Sequence, residues 1–358
     1  MDELAVTTLI AEVDDLLAER ARHFPHRLPV NTAALNTAYG RLFTLLWADT
    51  QASQTSPADC QTNQFADDPI FLCGYLKSGT TLLTGLLDNH PALVTLPGDT
   101  NTFPLLARFR SLPRPELERQ WAAYWLKRFV NPPGQPPFCM LGLDGRAYAN
   151  LLRWFRFWLA RWDGQDAAFL LQTAVFAYFC ANQERPSALR YWAAKTPRDE
   201  RNVAELRRLF PQARFIHILR DPRQNLASLK KLHQHRGWRW RPFRTALSLW
   251  RSVWLGWRNR RRLGQENYLI LRYESLLADP HSVTRRIADF LDIPWQPTLL
   301  TPTANGRPLQ ANSMYKEKRV TGRILPAPSP HWAAQLNRRE RLIGQGLLAP
   351  LLWLEQTL

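Results

Sequence analysis

The sequence predicts an α/β domain interrupted by a helical insertion rich in Trp and Arg, and three observations carry that prediction. A short apolar run, a glycine-bearing loop and a helical pattern follow one another over residues 69–90. A strand–helix rhythm resumes at residue 191 and runs to about residue 295. Between them, residues 105–190 lack that rhythm and hold Pro-rich turns separating segments dense in Trp, Phe and Arg.

Residues 1–48 read as an N-terminal helical segment, with apolar positions at helical spacing until Pro25 and Pro29 interrupt. Residues 49–68 are polar and turn-rich, which suits a linker. PIFLCGY, bounded by Pro69 and Gly74, suits a buried strand, and TTLLTGLLDNH is helical until Pro91. In the insertion, LLRWFRFWLARW puts Arg153 and Arg156 on one stripe with apolar residues around most of the rest. That pattern suits a helix buried on most sides or lying against something apolar. After YWAAKTP come a helix (NVAELRRLFP), a strand (ARFIHILR) and a helix (PRQNLASLKKLHQ). A basic aromatic helix over 241–262 puts Ala246, Trp250, Val253, Trp254 and Trp257 on one face. NYLILRYESLLADP reads as strand then loop, HSVTRRIADFLDI as a helix, 296–330 as loop, and 331–358 as a closing helix. The α/β domain is thus expected over 69–330.

Composition is that of a globular protein, with 45% hydrophobic and 22% charged residues, which argues against a disordered chain. Charge is the outlier: 47 Lys+Arg against 30 Asp+Glu leave a net +17. Such a field favours anionic partners (nucleotides, nucleic acid, acidic glycans, anionic lipid surfaces) without choosing among them. Cys60, Cys73, Cys139 and Cys180 are widely separated, with no CxxC pair, and read as buried thiols of a reducing compartment. The N-terminus carries early acids and lacks the apolar run of a signal peptide, and no apolar stretch is long enough to span a membrane. The expectation is a cytoplasmic protein, soluble or peripheral to a membrane.

The loop reads Gly74-Tyr75-Leu76-Lys77-Ser78-Gly79-Thr80-Thr81. Its glycines have P-loop spacing, but Thr80 stands where the Walker lysine belongs, and the lysine lies inside the loop at Lys77. Glycines free the backbone, amide N–H groups turn inward, the following helix adds its positive end, and Ser78, Thr80 and Thr81 add hydroxyls. The result is an anion cradle in a P-loop-like domain. A lone glycine pair more often marks an empty turn; the strand before and the helix after favour the cradle. The displaced lysine points to a nucleotide with a single 5′-phosphate. A second element, FIHILRDPRQNLAS, ends a strand at Arg220 and sets Ser228 on the next helix, so that arginine and serine can grip a further phosphate. Taken alone, Arg220-Asp221 reads as an ion pair.

With both elements present, the chain resembles the sulfotransferases that use 3′-phosphoadenosine 5′-phosphosulfate as co-substrate. LKSGTTLL is similar to their 5′-phosphosulfate loop and LRDPRQNLAS to their 3′-phosphate motif. KSGTTLLTGLLDNHP, KTPRDERNVAELRRLFPQARFIHILRDPR and LRYESLLADP resemble the branch holding protein-tyrosine sulfotransferases and bacterial relatives. The resemblance covers 69–104 and 191–295, with weaker traces at 312–324. It implies a parallel sheet flanked by helices and no metal. It implies that Gly79, Thr80 and Thr81 bind the 5′-phosphate with Ser78, while Lys77 meets the phosphosulfate and its leaving oxygen. Arg220 and Ser228 would hold the 3′-phosphate, Tyr273 would lie against the adenosine, and Lys195 would steady charge on the sulfuryl group. Tyr273 reads equally well as a strand-end core residue.

The same likeness aligns Asp99 of LPGDTNTFP with the family's catalytic glutamate, an aspartate with a shorter arm; the alternative is an Asx-turn after Gly98. His90 reads as a structural helix-end residue, and His233 and His235 are the runner-up bases. ANSMYKEKRVTGRIL loosely resembles the family's closing loop, offering Ser313 and Arg319 as nucleotide contacts and Gly322 as a turn.

The acceptor is expected to carry a hydroxyl: a glycan, a glycolipid, a small molecule or tyrosine. The insertion at 107–165 suits an amphipathic acceptor site, a membrane-peripheral surface or a packed helical unit. Two rivals remain. A nucleotide-dependent P-loop kinase needs a lysine after Gly79, where Thr80 stands. A nucleic-acid-binding protein would explain +17, RGWRWRPF and RNRRR, but the basic residues are spread along the chain and no such signature is present, so no nucleic acid is expected.

Overall fold

The computed structural model describes residues 3–22, 32–48, 68–109, 111–129, 144–181, 189–309, 322–324 and 332–348. The chain divides into two compact units, residues 1–66 with 102–187, and 67–101 with 188–358. The N-terminal helices therefore belong with the insertion.

The first unit begins with α1 (Glu3–Arg22) and α2 (Thr32–Ala48). Val6, Leu9 and Val13 on α1 and Leu35, Ala38, Leu42 and Leu46 on α2 recur at helical spacing and are buried. The chain then passes through the second unit as β1 (Pro69–Cys73), α3 (Thr80–Leu87) and β2 (Leu93–Asp99). It returns as α4 (Thr102–Phe109), α5 (Arg114–Phe129), α6 (Gly145–Leu159) and α7 (Ala167–Ala181).

Asp144 caps α6 by accepting from Ala147 N, and Asp14 of α1 accepts from Gly145 N at 2.6 Å. A Cβ at Gly145 would lie 2.8 Å from the Ile10 carbonyl oxygen, so this close approach requires glycine. The arginine stripe resolves in two ways. Arg153 is exposed, whereas Arg156 donates to the Leu46 carbonyl at 3.0 Å, satisfying the C-terminus of α2, and lies over Trp47. Trp121, Trp125 and Trp154 are buried, and Trp121 Nε1 donates to Thr173 Oγ1. The buried tryptophans of the insertion thus pack in the core of this helical unit.

The second unit continues with β3 (Tyr191–Lys195), a 3-10 turn at Asp199–Arg201, α8 (Val203–Leu209), β4 (Arg214–Leu219), α9 (Pro222–Arg236), α10 (Pro242–Leu263) and β5 (Tyr268–Arg272). All five strands are parallel, in the order β2-β3-β1-β4-β5. Strand alternation divides the core. Ile70, Leu72, Ile216 and Ile218 pack with Leu83, Leu86 and Leu87 of α3. Phe71, Trp192, Phe210 and Phe215 form an aromatic cluster with centroids 5.4–5.9 Å apart. The chain closes with α11 (Tyr273–Ala278), α12 (Pro280–Leu291), a two-stranded hairpin of β6 (Thr303–Ala304) and β7 (Arg307–Pro308), α13 (Trp332–Gln335) and α14 (Arg338–Gly346).

Five expectations are corrected. Residues 93–99 form a strand that sequence reasoning missed. YESLLA after β5 is a helix rather than a loop. Over the described residues 332–348 the closing helix is two short helices, because Asn337 starts α14 with a capping box closed by Glu340. On α10 the core face is Ala246, Leu249, Ser252, Val253 and Gly256, while Trp250 is 38% exposed, so the tryptophans do not form the buried face. Cys73 is a free buried thiol, but Cys180 is disulfide-bonded; spacing along the chain carries no information on pairing in space. The interruption at Pro25 and Pro29 and the linker over 49–67 lie outside the described residues.

Candidate active site

In this strand order, the connections from β1 and β4 leave in opposite directions, opening a crevice above their carboxyl ends. Both candidate phosphate elements lie there. Gly74 leaves β1 with φ 145°, and a Cβ on it would meet the Ile218 carbonyl and Ser78 Oγ, each at 2.7 Å. Lys77 takes a left-handed φ of 68°, and Gly79 has φ 112° just before α3. Within this turn Ser78 Oγ is buried and makes no hydrogen bond. Thr80 and Thr81 open α3.

Arg220 follows β4 directly. It does not pair with Asp221, which turns instead to cap α9, accepting from Arg223 N and pairing with the Arg223 guanidinium at 2.8 Å. Arg220 donates from Nη1 to the Lys77 carbonyl at 3.1 Å and lies over the Tyr273 ring at 4.9 Å. Its Nε is buried and unpartnered. Burial, and then the Arg220 charge, push the Lys77 ammonium below the usual lysine range. Tyr273 packs on Gly79 so closely that a Cβ there would lie 2.3 Å from Tyr273 Cδ2. Ser228 is half-buried on α9, eight residues after Arg220.

On the other side of the loop, Lys195 ends β3 and is buried. Its Nζ lies 2.6 Å from Asp99 Oδ1 and 3.4 Å from Thr81 Oγ1. Asp99 ends β2 beside it. Thr100 N donates to the Lys195 carbonyl at 2.8 Å, and Thr100 Oγ1 meets Thr196 Oγ1 at 2.6 Å. Contacts therefore connect Asp99, Lys195 and Thr81 at one end of the loop, and Gly79, Tyr273, Arg220 and Lys77 at the other.

The histidines stand apart. His90 accepts from Ala92 N at Nδ1 and donates from Nε2 to the Pro294 carbonyl, with burial lowering its pKa; its role is structural. His233 bonds the Arg239 carbonyl and packs between Trp238 and Trp240. It lies about 18 Å along α9 from Asp221, at about 1.5 Å per residue. His235, two residues further on, is exposed. Gly322 hydrogen-bonds through its N–H to the Leu309 carbonyl at 3.3 Å and has φ 47°. Ser313 and Arg319 lie outside the described residues.

Sequence reasoning missed the support beneath the loop. Arg198 N donates to the Gly74 carbonyl, and the buried Glu200 accepts from Ser252 Oγ at 2.6 Å while the Gly74 amide faces its carboxyl. Asn259 Nδ2 donates to the Glu200 carbonyl at 2.7 Å. Glu274 accepts from Asp221 N at 2.9 Å and so braces the Arg220 turn. Isolated acids in DER and YES give no sequence signal for such roles.

A family model described as "Sulfotransferase family" matches residues 69–297, more than half of the chain. Protein-tyrosine sulfotransferase A of Caenorhabditis elegans is 25% identical over 233 residues, covering 64% of this chain and 51% of that protein. The protein-tyrosine sulfotransferase of Drosophila melanogaster is 24% identical over 239 residues, covering 64% of this chain and 39% of that protein. This chain spans about half the length of the curated relatives it matches. Among solved structures, the sulfotransferase domain from the Synechococcus PCC 7002 olefin synthase is similar, with a TM-score of 0.46 and 20% identity over 84% of this chain and 97% of that one. The matched span encloses the glycine loop after β1, the arginine after β4 and the lysine ending β3, and by it the chain belongs to the sulfotransferase family.

Proposed function

We propose that this protein transfers a sulfuryl group from 3′-phosphoadenosine 5′-phosphosulfate to an acceptor hydroxyl. The observation that carries this reading is the buried, unpartnered Ser78 Oγ inside a turn whose Gly74 and Gly79 have no room for a Cβ, with the unpartnered Arg220 Nε nearby on the adjoining turn. Donors without protein partners around a backbone cradle suit a phosphate-bearing ligand. The residues present therefore fit the nucleotide. Ser78, Gly79, Thr80 and Thr81 would hold its 5′-phosphate, Arg220 and Ser228 its 3′-phosphate, and Tyr273 its base side.

When bound, the nucleotide supplies the sulfuryl group and a phosphate as leaving group. Lys77 neutralises charge at the leaving oxygen, and Lys195 does so beside Thr81. Asp99, paired with Lys195 and 40% exposed, accepts the proton of the acceptor hydroxyl. The acceptor is proposed as a hydroxyl-bearing molecule: a glycan, a glycolipid, a small molecule or a tyrosine side chain.

Calorimetric titration with 3′,5′-adenosine bisphosphate, and separately with ATP plus Mg²⁺, tests the reading. Metal-independent binding of the bisphosphate is expected, weakened roughly ten- to hundredfold in Arg220→Ala. Binding of ATP plus Mg²⁺ without binding of the bisphosphate would overturn it in favour of a kinase.

A further inference from the structure

We propose that the outward face of α10 docks on an anionic lipid bilayer. α10 is a 22-residue helix, about 33 Å long, with two apolar stripes. Ala246, Leu249, Val253 and Gly256 form the inner stripe and are buried. Phe243, Leu247 and Trp250 recur at i, i+4 and i+7 on the opposite side and are 58%, 46% and 38% exposed. Trp238, in the turn before the helix, is 51% exposed. Of the six large hydrophobic residues exposed among the described residues, these four lie within one stretch of thirteen residues.

Charge decides the occupant. No aspartate or glutamate occurs between Asp221 and Glu266. Arg244 and Arg251 are exposed along one flank of the stripe. At its C-terminal end Arg258 lies over Trp254 and Arg261 over Trp257, with guanidinium–ring distances of 5.3 and 4.6 Å. An acidic polymer would satisfy the arginines but leave Phe243 and Leu247, which form no hydrogen bonds, in water. A bilayer interface takes both. Apolar side chains sink about 5–10 Å toward the acyl boundary, tryptophans sit at headgroup level, and arginines reach lipid phosphates. A basic, acid-free helix face with a protruding apolar stripe is complementary to that surface. The surface lies on the opposite side of α10 from Ser252 and Asn259, which hold Glu200, so it is separate from the nucleotide loop and independent of the proposed reaction.

Flotation of the full chain with vesicles of phosphatidylcholine, with and without phosphatidylserine, tests this. Binding is expected to require phosphatidylserine and to weaken as salt rises. The triple variant Phe243→Ser/Leu247→Ser/Trp250→Ser should lose at least about tenfold in partitioning. Arg244→Gln and Arg251→Gln should each lose roughly fivefold. All these side chains are exposed, so thermal unfolding should be unchanged; if the triple variant fails to fold, Leu247→Gln and the arginine variants carry the test. Absence of vesicle binding overturns the proposal. So does binding that the apolar substitutions leave intact, which would be charge attraction alone. Conversion of a dimer to a monomer by the triple variant would assign the face to a second copy. Tighter binding of an acidic polysaccharide through the same apolar residues would assign it to a polymer.

Discussion

Lys195 Nζ lies 2.6 Å from Asp99 Oδ1, and the two residues are register partners at the carboxyl ends of neighbouring parallel strands β3 and β2. The lysine side chain is 5% exposed and the aspartate 40%. A pair with one partner this open to water adds little to stability. Its consequence is positional: the buried ammonium aims a solvent-reachable carboxylate from a fixed strand end. Asp99→Asn is expected to leave bisphosphate affinity unchanged, with some loss of thermal stability because the buried Lys195 ammonium loses its counter-charge. Turnover of the sulfate donor, assayed with a panel of phenolic and sugar hydroxyls, should fall by about 10²–10⁴. Retained turnover would remove Asp99 as the base.

Gly79 carries a second prediction. Its φ of 112° is costly for any L side chain, and a Cβ would meet Tyr273 Cδ2 at 2.3 Å. Gly79→Ala must displace Tyr273, and with it the ring beneath the Arg220 guanidinium. Bisphosphate binding should fall by more than about a hundredfold, whereas Tyr273→Ala alone costs roughly tenfold. Combining the two relieves the clash but not the backbone strain, so the double variant should bind better than Gly79→Ala and worse than Tyr273→Ala. Equal affinities for Gly79→Ala and the unsubstituted protein would show that Tyr273 does not close the turn.

Part of this site was legible in the sequence because local chemistry is strong there. Pro69 and Gly74 bound an uninterrupted apolar run, which is what a strand buried on both faces requires. β2 escaped notice because Pro97 and Gly98 resemble a loop. It is an edge strand whose register shifts between Thr95 and Asp99, and edges and bulges tolerate both residues. The likeness to a family pointed to Asp99 and Lys195 individually, but no spacing shows that residues 96 positions apart face each other. On α10 the sequence is apolar on both sides, so size misled: the core side includes the small Ala246, Ser252 and Gly256, and His217 comes within 2.6 Å of where a Gly256 Cβ would stand. Glu200 is one acid among thirty, and its role exists only once the chain is folded.

Glu200 is predicted to position the loop. Burial raises its pKa and favours the neutral acid, while Ser252 Oγ donates to it at 2.6 Å and the Gly74 amide faces it. Glu200→Ala strands the Ser252 hydroxyl, at a cost of about 1–3 kcal/mol, and loosens the base of the turn. Thermal stability and bisphosphate affinity should fall together. Glu200→Gln, which mimics the neutral acid, should restore affinity to within about threefold. If Glu200→Gln is as damaging as Glu200→Ala, the charged carboxylate is the working form.

Asp199 predicts a pH dependence of stability. Burial, reinforced by the nearby Glu200 and Asp99 charges, raises its pKa from 3.8 to about 7, although Asn202 and Thr196 hydrogen-bond to it. Between about pH 4 and pH 7 the folded protein then binds more protons at this group than the unfolded chain does. The contribution of Asp199 is thus full below pH 4 and is lost as pH rises through 7. His217, pushed down to about 3 by burial, acts with the opposite sign between about pH 3 and 6.5, where folding excludes a proton that the unfolded chain takes up. The two slopes oppose each other, so the unsubstituted protein alone does not report either. Asp199→Asn keeps the acceptor for Asn202 Nδ2 and removes the titration. Urea unfolding should show the variant gaining stability relative to the unsubstituted protein from pH 5 to pH 8, by up to a few kcal/mol. A difference that does not change with pH would mean that Asp199 titrates as an ordinary carboxylate.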